Sequence, residues 1–241
     1  MRHYDSLSGR RFDMNHPRWP VKKDGTPYLR LAGNAMKKLE GRVKLVPGVT
    51  DLCGPLKSVR LLNWTFAIGV ELGWDGARQG FSLDDCKAWA ESRRWEAADK
   101  GSEIHEILED PASALFRACR EMVADRVGLD ISEGDNEIQF ATDEFGGTAD
   151  RVGPDYVLDW KSSGKVRSPY LSELAQMCAY NQHFKRTRLV NVYISQETLM
   201  PYRVVEWSCE LQEIGLKVFN GCLEQYRNEQ AFKAAMKGGG M

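Results

Sequence analysis

Apolar residues recur at helical spacing through the first half of the chain and at alternate positions through much of the second, and the change of period falls near Gly128. Val59, Leu62, Trp64, Phe66, Ile68 and Val70 predict a mainly buried helix over 56–72, entered through the turn Pro47-Gly48-Val49-Thr50-Asp51. Ser82 followed by Asp85 reads as a capping arrangement, and Cys86, Trp89, Ala90, Arg93 and Ala97 continue at helical spacing. A second helix restarts after Gly101 with Ile104, His105, Ile107 and Leu108. Asp110-Pro111 is expected to cap and begin a third, defined by Leu115, Cys119, Met122 and Val123 and closed by Gly128.

Beyond Gly128 the pattern predicts a three-stranded meander. Glu137-Ile138-Gln139-Phe140 alternates, Gly146-Gly147 makes a turn, Thr148 to Val152 resumes, Pro154-Asp155 turns again, and Tyr156 to Lys161 is the third strand. Residues 169–184 then read as a helix, 189–194 and 202–207 as strands, and 211–232 as a long terminal helix. Strand, helix and strand over 156–194 should form a right-handed parallel crossover.

Residues 1 to about 46 are polar and broken by His16-Pro17, Trp19-Pro20, Asp24-Gly25 and Thr26-Pro27, with short extended pieces such as Tyr28 to Leu31. They read as an arm or hairpin without a core of its own. One domain is expected over 47–235, with a helical part at 47–128, a sheet core at 129–208 and a terminal helix at 210–235. Residues 236–241 are expected to be a disordered tail. No internal repeat is evident.

Composition narrows the function classes. With 241 residues, 42% hydrophobic and 28% charged, the chain can bury a sizeable core without disulfides or a structural metal. A net charge of −1 excludes binding of nucleic acid by bulk charge, so any such contact needs a local patch. No apolar stretch approaches 18 residues and the N-terminus has no apolar signal core, so a cytoplasmic protein with no membrane partner is expected. The six cysteines are at least 13 residues apart, which excludes C-x-x-C zinc and redox motifs and predicts reduced thiols.

The chemistry concentrates in Gly146-Gly147-Thr148-Ala149-Asp150 and Tyr156-Val157-Leu158-Asp159-Trp160-Lys161-Ser162-Ser163. Two acids fall on neighbouring strands, and period-two geometry places Asp159 and Lys161 on one face. Carboxylate oxygens hold a hard cation such as Mg²⁺ at about 2.0–2.1 Å, and an adjacent ammonium orients a nucleophile or offsets developing charge. That combination suits metal-assisted phosphodiester hydrolysis, although Asp-x-Lys alone reads far more readily as a surface ion pair. Asp159 follows an apolar run, where an unpaired acid is costly. Gln176 and Tyr180 share one face of the crossover helix.

Four ordered motifs resemble the PD-(D/E)XK nucleases of the RecB-like exonuclease branch: Gly101 to His105, Gly147 to Asp150, Asp159 to Ser162, and Gln176 to Tyr180. The lead-in Pro47-Gly48-Val49-Thr50 with Leu62-Asn63-Trp64 is similar to phage-type and mitochondrial genome maintenance exonucleases, and the resemblance spans roughly 47–195. It implies an α/β fold with a central mixed sheet flanked by helices, a helical first half, and a metal-dependent DNA exonuclease acting in phage or bacterial recombination, replication or repair. It implies His105, Asp150, Asp159 and the Trp160 backbone carbonyl as ligands of Mg²⁺ or Mn²⁺, Lys161 to position or activate the attacking water, and Gln176 and Tyr180 to orient the site or contact the DNA strand. Glu137 is either an outer-shell residue or a solvent-facing strand acid.

Asp159 stands where several relatives have Glu, and Cys209 and Cys222 do not reproduce the cysteine pattern of relatives with an iron–sulfur cluster, so no cluster is expected. The chain has no phosphate-binding G-x-x-x-x-G-K-[ST] loop, so unwinding would need a helicase, with a recombinase or single-strand-binding protein as other candidate partners. Ser162, Lys165, Arg167, Lys185, Arg186 and Arg188 are candidate DNA contacts. Lys37, Lys38, Arg42, Lys44, Lys57 and Arg60 form a second basic region, read equally as a solvated face. Trp64, Trp89 and Trp95 are candidates for base stacking or for the core. An endonuclease of restriction or structure-specific type, and a non-catalytic DNA-binding scaffold, are the alternative readings. Oligomeric state is not legible.

Overall fold

The run Tyr156-Val157-Leu158-Asp159-Trp160 is buried on both faces, which is the burial expected of a central strand covered by helices on either side. In the computed structural model, which describes residues 3–13, 15–21, 39, 43–57 and 82–238, this run begins β6 (Tyr156–Ser163). It is the middle strand of a five-stranded sheet of order β4-β5-β6-β7-β8, with β4 (Asp135–Ala141), β5 (Gly146–Val152), β7 (Arg188–Ser195) and β8 (Pro201–Glu206). Only β6 and β7 are parallel; the other neighbours are antiparallel. The sheet is therefore mixed and flanked by helices, as expected.

Two apolar clusters sandwich it. Tyr156, Leu158 and Trp160 pack with Ile104, Leu108 and Phe116 from helices α2 (Leu83–Glu109) and α3 (Ala114–Val127). Val157 packs oppositely, with Leu174 and Met177 of α4 (Leu171–Phe184) and Phe219 and Leu223 of α5 (Cys209–Gly238). Alternation along β6 thus continues the Val157 face with Asp159 and Lys161, toward α4.

Several local readings change. The helix does not restart at Gly101: α2 runs unbroken from the Ser82 cap, whose side chain and Asp85 form a reciprocal capping box. One mid-helix glycine costs only about 1 kcal/mol, and here it permits close packing, since a Cβ on Gly101 would lie 3.3 Å from Ser162 Oγ. Asp110-Pro111 is a turn after α2, and Ser113 caps α3 by accepting from the Phe116 N–H at 3.0 Å. Gly146 and Gly147 are strand residues; the turn is made by residues 142–145, with Thr142 Oγ1 accepting from the Phe145 N–H. The glycines are needed for close approach: a Cβ would come within 2.5 Å of Tyr4 at Gly146 and 2.8 Å of Tyr180 at Gly147.

In the N-terminal region β1 (His3–Asp5) pairs with β2 (Arg10–Arg11) as a hairpin and with β3 (Leu45–Pro47), after which α1 (Val49–Leu52) begins. This small sheet rests on β4 and β5 through Tyr4 Oη to Thr148 Oγ1 at 3.2 Å and Arg11 N–H to Gln139 Oε1 at 3.0 Å. The extended piece 28–31, most of the expected helix 56–72, and the side chains of Lys37, Lys38, Arg42, Lys57, Arg60, Trp64, Trp89 and Trp95 lie outside the described residues. Lys44 pairs with Asp143 at 2.8 Å. The terminal helix runs to Gly238, three residues beyond its expected end. Among the described residues no helix is long and apolar enough to cross a membrane.

Candidate active site

The β5–β6 ladder is registered by Arg151 with Leu158 and Val152 with Val157, and the next step would bring Asp150 opposite Asp159. There the strands part, and the Asp150 side chain replaces the ladder by accepting the Trp160 N–H at 2.7 Å. A cavity of about 480 Å³ opens at this point, lined by His105, Glu137, Asp150, Asp159, Lys161 and Gln176 among others.

On the α4 side a closed polar network forms. Lys161 Nζ lies 2.6 Å from Asp159 Oδ2 and donates to Gln176 Oε1 at 3.2 Å. Gln176 Nε2 in turn contacts Asp159 Oδ1 at 3.2 Å and Tyr180 Oη at 2.7 Å. Asn191, fully buried on β7 and opposite Asp159 in register, donates to Asp159 Oδ2 at 2.7 Å and accepts from Trp207 Nε1 at 2.7 Å. Asp159 is thus held by three side chains.

On the other side stand His105, Glu137 and Asp150, whose nearest donor atoms lie within 4.8 Å of one another. Ile104 and Leu108 anchor α2 in the core and leave His105 facing β5, its Nδ1 3.8 Å from Asp150 Oδ2. The Trp160 carbonyl lies against the same imidazole. Glu137 sits between the pairs Asn136–Arg151 and Ile138–Ala149, hence across from Asp150, with φ at 51°. That left-handed conformation is strained for a residue with a Cβ, and such strain gathers at functional positions. The fully buried Arg151 holds this segment by donating to Asn136 Oδ1 at 2.6 Å and to the Ile131 and Ser132 carbonyls.

The electrostatics suit a cation. Burial, and then the Asp159 charge, push the Asp150 carboxyl well above the usual carboxylate range. Burial holds the His105 imidazole below its ordinary value, which favours the neutral ligating form. Burial also opposes the Lys161 ammonium, yet Asp159 and Asp150 more than offset it and raise its pKa. A half-buried carboxyl, an exposed second acid and an imidazole form a donor set able to hold a divalent ion.

The expected residues therefore divide. His105, Asp150, Asp159, the Trp160 carbonyl, Lys161, Gln176 and Tyr180 converge on one site, but the grouping of potential ligands takes in Glu137, while Asp159 is engaged with Lys161, Gln176 and Asn191. Ser162 accepts from Gln196 Nε2 at 3.2 Å, and Lys165 is exposed in the following loop. Arg167 is bound bidentately by Glu173 and stacked on Tyr170, and Arg188 is bound bidentately by Glu206. Arg188 pairs with Tyr156 in register, five residues or about 17 Å from Lys161, so the 185–188 cluster, with exposed Lys185 and half-buried Arg186, lies toward the opposite end of the sheet. Asn191, Arg151, Tyr4 and Arg11 were not expected at or near the site. Asn191 alone had a signal, as the one polar residue within Leu189-Val190-Asn191-Val192-Tyr193-Ile194.

No family model and no curated protein matches the chain. Among solved structures it is similar to an alkaline exonuclease from Laribacter hongkongensis, at 17% identity and a TM-score of 0.29 over 51% of this chain and 71% of that one. It is also similar to SSO0001, at 17% identity and a TM-score of 0.30 over 58% and 66%.

Proposed function

We propose that the chain is a metal-dependent deoxyribonuclease, an exonuclease hydrolysing phosphodiester bonds at DNA ends or in single strands. The observation that carries this reading is the juxtaposition, in one open cavity, of the Lys161–Asp159–Gln176 network with the His105–Glu137–Asp150 donor set. His105, Asp150 and Glu137 would hold Mg²⁺ or Mn²⁺, with Asp159 and the Trp160 carbonyl beside them. When bound, the ion polarises the phosphoryl oxygen and makes water a better nucleophile.

The protein's own groups supply position. An ammonium has three donors; Asp159 and Gln176 take two from Lys161 and leave one for a water or phosphate oxygen. Gln176 and Asn191 fix Asp159, which fixes Lys161, and Tyr180 closes the far side of Gln176. Such a preset arrangement lowers the barrier because the groups need not reorganise as charge develops.

The test is digestion of matched linear and circular DNA, single- and double-stranded, with Mg²⁺, Mn²⁺ or EDTA. Metal-dependent loss of linear DNA alone is expected, with a decrease of roughly 10²–10⁴-fold in Lys161→Ala and at least as much in Asp150→Ala. Cleavage of circles would show an endonuclease, and binding without cleavage under any condition would overturn catalysis in favour of a scaffold.

A further inference from the structure

The candidate active-site cavity is acidic. Glu106, Glu109, Glu137, Asp150 and Asp159 line it, against the cations Lys161 and Arg11. A polyanionic strand approaching it meets repulsion that one site-bound divalent ion offsets only in part, so a phosphate-binding rim is needed beside the site. Arg11 does not come from the sheet that carries the site but from the N-terminal hairpin, and it also lines a second cavity of about 400 Å³ with Arg10, Asp13, Asn15, His16 and Gln139. The two cavities therefore adjoin at Arg11.

The hairpin is seated where it can serve the site. Its attachments, Tyr4 to Thr148 and the Arg11 N–H to Gln139, fall on a cross-strand pair of β5 and β4. Thr148 is two residues before Asp150 and Gln139 two after Glu137, so this pair is the next same-face step from the donor set, about 7 Å along the strands.

The hairpin is also built rather than loose. Buried Asp5 accepts from the Leu7 N–H, Ser8 Oγ and the Lys44 N–H, with Arg18 and His16 3.6 and 3.7 Å away. His16 is buried and its Nδ1 accepts the Arg18 N–H. The internal acid is thus satisfied within the N-terminal region, while both arginines of β2 are exposed. Asp13, 3.6 Å from Arg11 Nε, is the one acid lining the second cavity among the described residues, and it leaves the pair of arginines with a net positive charge.

We propose that Arg10 and Arg11 hold a backbone phosphate of the DNA strand next to the bond being cleaved, so that the N-terminal hairpin is part of the substrate-binding surface. This rests on the nuclease reading and extends it to the path of the strand. The guanidinium groups bind phosphate through charge-assisted hydrogen bonds, and each phosphate contact contributes to salt dependence.

The experiment compares wild type with the double variant Arg10→Ala/Arg11→Ala. Single-stranded DNA binding is measured in EDTA across a salt series, and KM in Mg²⁺. The variant should bind roughly 10-fold more weakly, with a log–log salt slope shallower by about 1–2, and its deficit should appear mainly as raised KM. Arg10→Lys/Arg11→Lys should recover most of the affinity, which a purely structural role for the arginines would not predict. The Arg11 pairing to Gln139 uses the backbone N–H, so no variant removes its donor. If wild type cleaves DNA and the alanine variant keeps its affinity and salt slope, this inference fails alone. If wild type neither binds nor cleaves DNA, the nuclease reading fails and this one with it.

Discussion

Glu137 faces Asp150 across two antiparallel strands, and it does so from a left-handed backbone conformation with φ at 51°. A backbone strained in this way is unfavourable for folding alone. A cation held by both carboxylates would offset that cost. The two variants that follow separate strain from ligation.

Glu137→Gly removes the strain and the carboxylate together. It should stabilise the protein by up to about 1 kcal/mol, or roughly 2–4 °C at the thermal midpoint, while weakening Mn²⁺ binding about 10–100-fold. Glu137→Gln keeps the strain and should lose metal affinity without gaining stability. Calorimetric unfolding and Mn²⁺ titration read the two effects independently, and an unchanged Mn²⁺ affinity in both variants would remove Glu137 from the ligand set.

Asn191→Leu deletes the amide between Asp159 and Trp207. It leaves one carboxylate oxygen short of a 2.7 Å donor and the Trp207 N–H without its acceptor, both in the core. A loss of about 2–3 kcal/mol in urea unfolding is expected, with reduced cleavage because Lys161 is positioned through Asp159. Full activity in this variant would mean that Asp159 holds Lys161 without help.

Gly147→Ala places a methyl 2.8 Å from the Tyr180 ring and 2.9 Å from Phe140. Overpacking here should cost about 1–3 kcal/mol and shift the hydroxyl that meets Gln176. Because the clash is shared, combining it with Tyr180→Leu should cost less than the sum of the single changes, which a double-mutant cycle measures directly.

The Glu173–Arg167 pair predicts a pH dependence from a buried carboxylate that does not line the cavity. Burial works against the Glu173 carboxylate, but hydrogen bonds and charge from Arg167 and the Tyr170 N–H outweigh it, and the folded-state pKa lies below the ordinary 4.5. A depressed pKa stabilises the fold fully above the unfolded value, and the contribution is lost as pH falls through the folded one. Glu173→Gln, which leaves Arg167 unpaired, should cost about 3 kcal/mol at pH 7. The gap from wild type should narrow only below pH 4.5; a gap constant down to pH 3 would refute the linkage.

The sheet and its helices were largely legible because alternation in 137–140, the short apolar run at 156–158 and helical spacing in 115–123 follow from short-range backbone geometry. Errors fell where a local signal had more than one use. Gly101, Gly146 and Gly147 read as breaks, yet each serves close approach by Ser162, Tyr4 or Tyr180, residues distant in the chain. Pro111 read as a helix start, while Ser113 had the better placed cap.

By itself, the sequence determined that Asp159 and Lys161 share a face, that Gln176 and Tyr180 share another, and that His105 and Asp150 sit on a helix and a strand in the order of a known motif set. Period and spacing are local properties, and a strand or helix carries them wherever it packs. Tertiary structure decided which charges meet. Pairing of β4 with β5 put Glu137 across from Asp150, the parallel β6–β7 pair put Asn191 under Asp159, and the hairpin's seat on Thr148 and Gln139 put Arg11 at the rim. The same packing joined Arg167 to Glu173 and Arg188 to Glu206. A partner for a charge is chosen by burial and strand register between residues far apart in the chain, and neither is a function of sequence spacing.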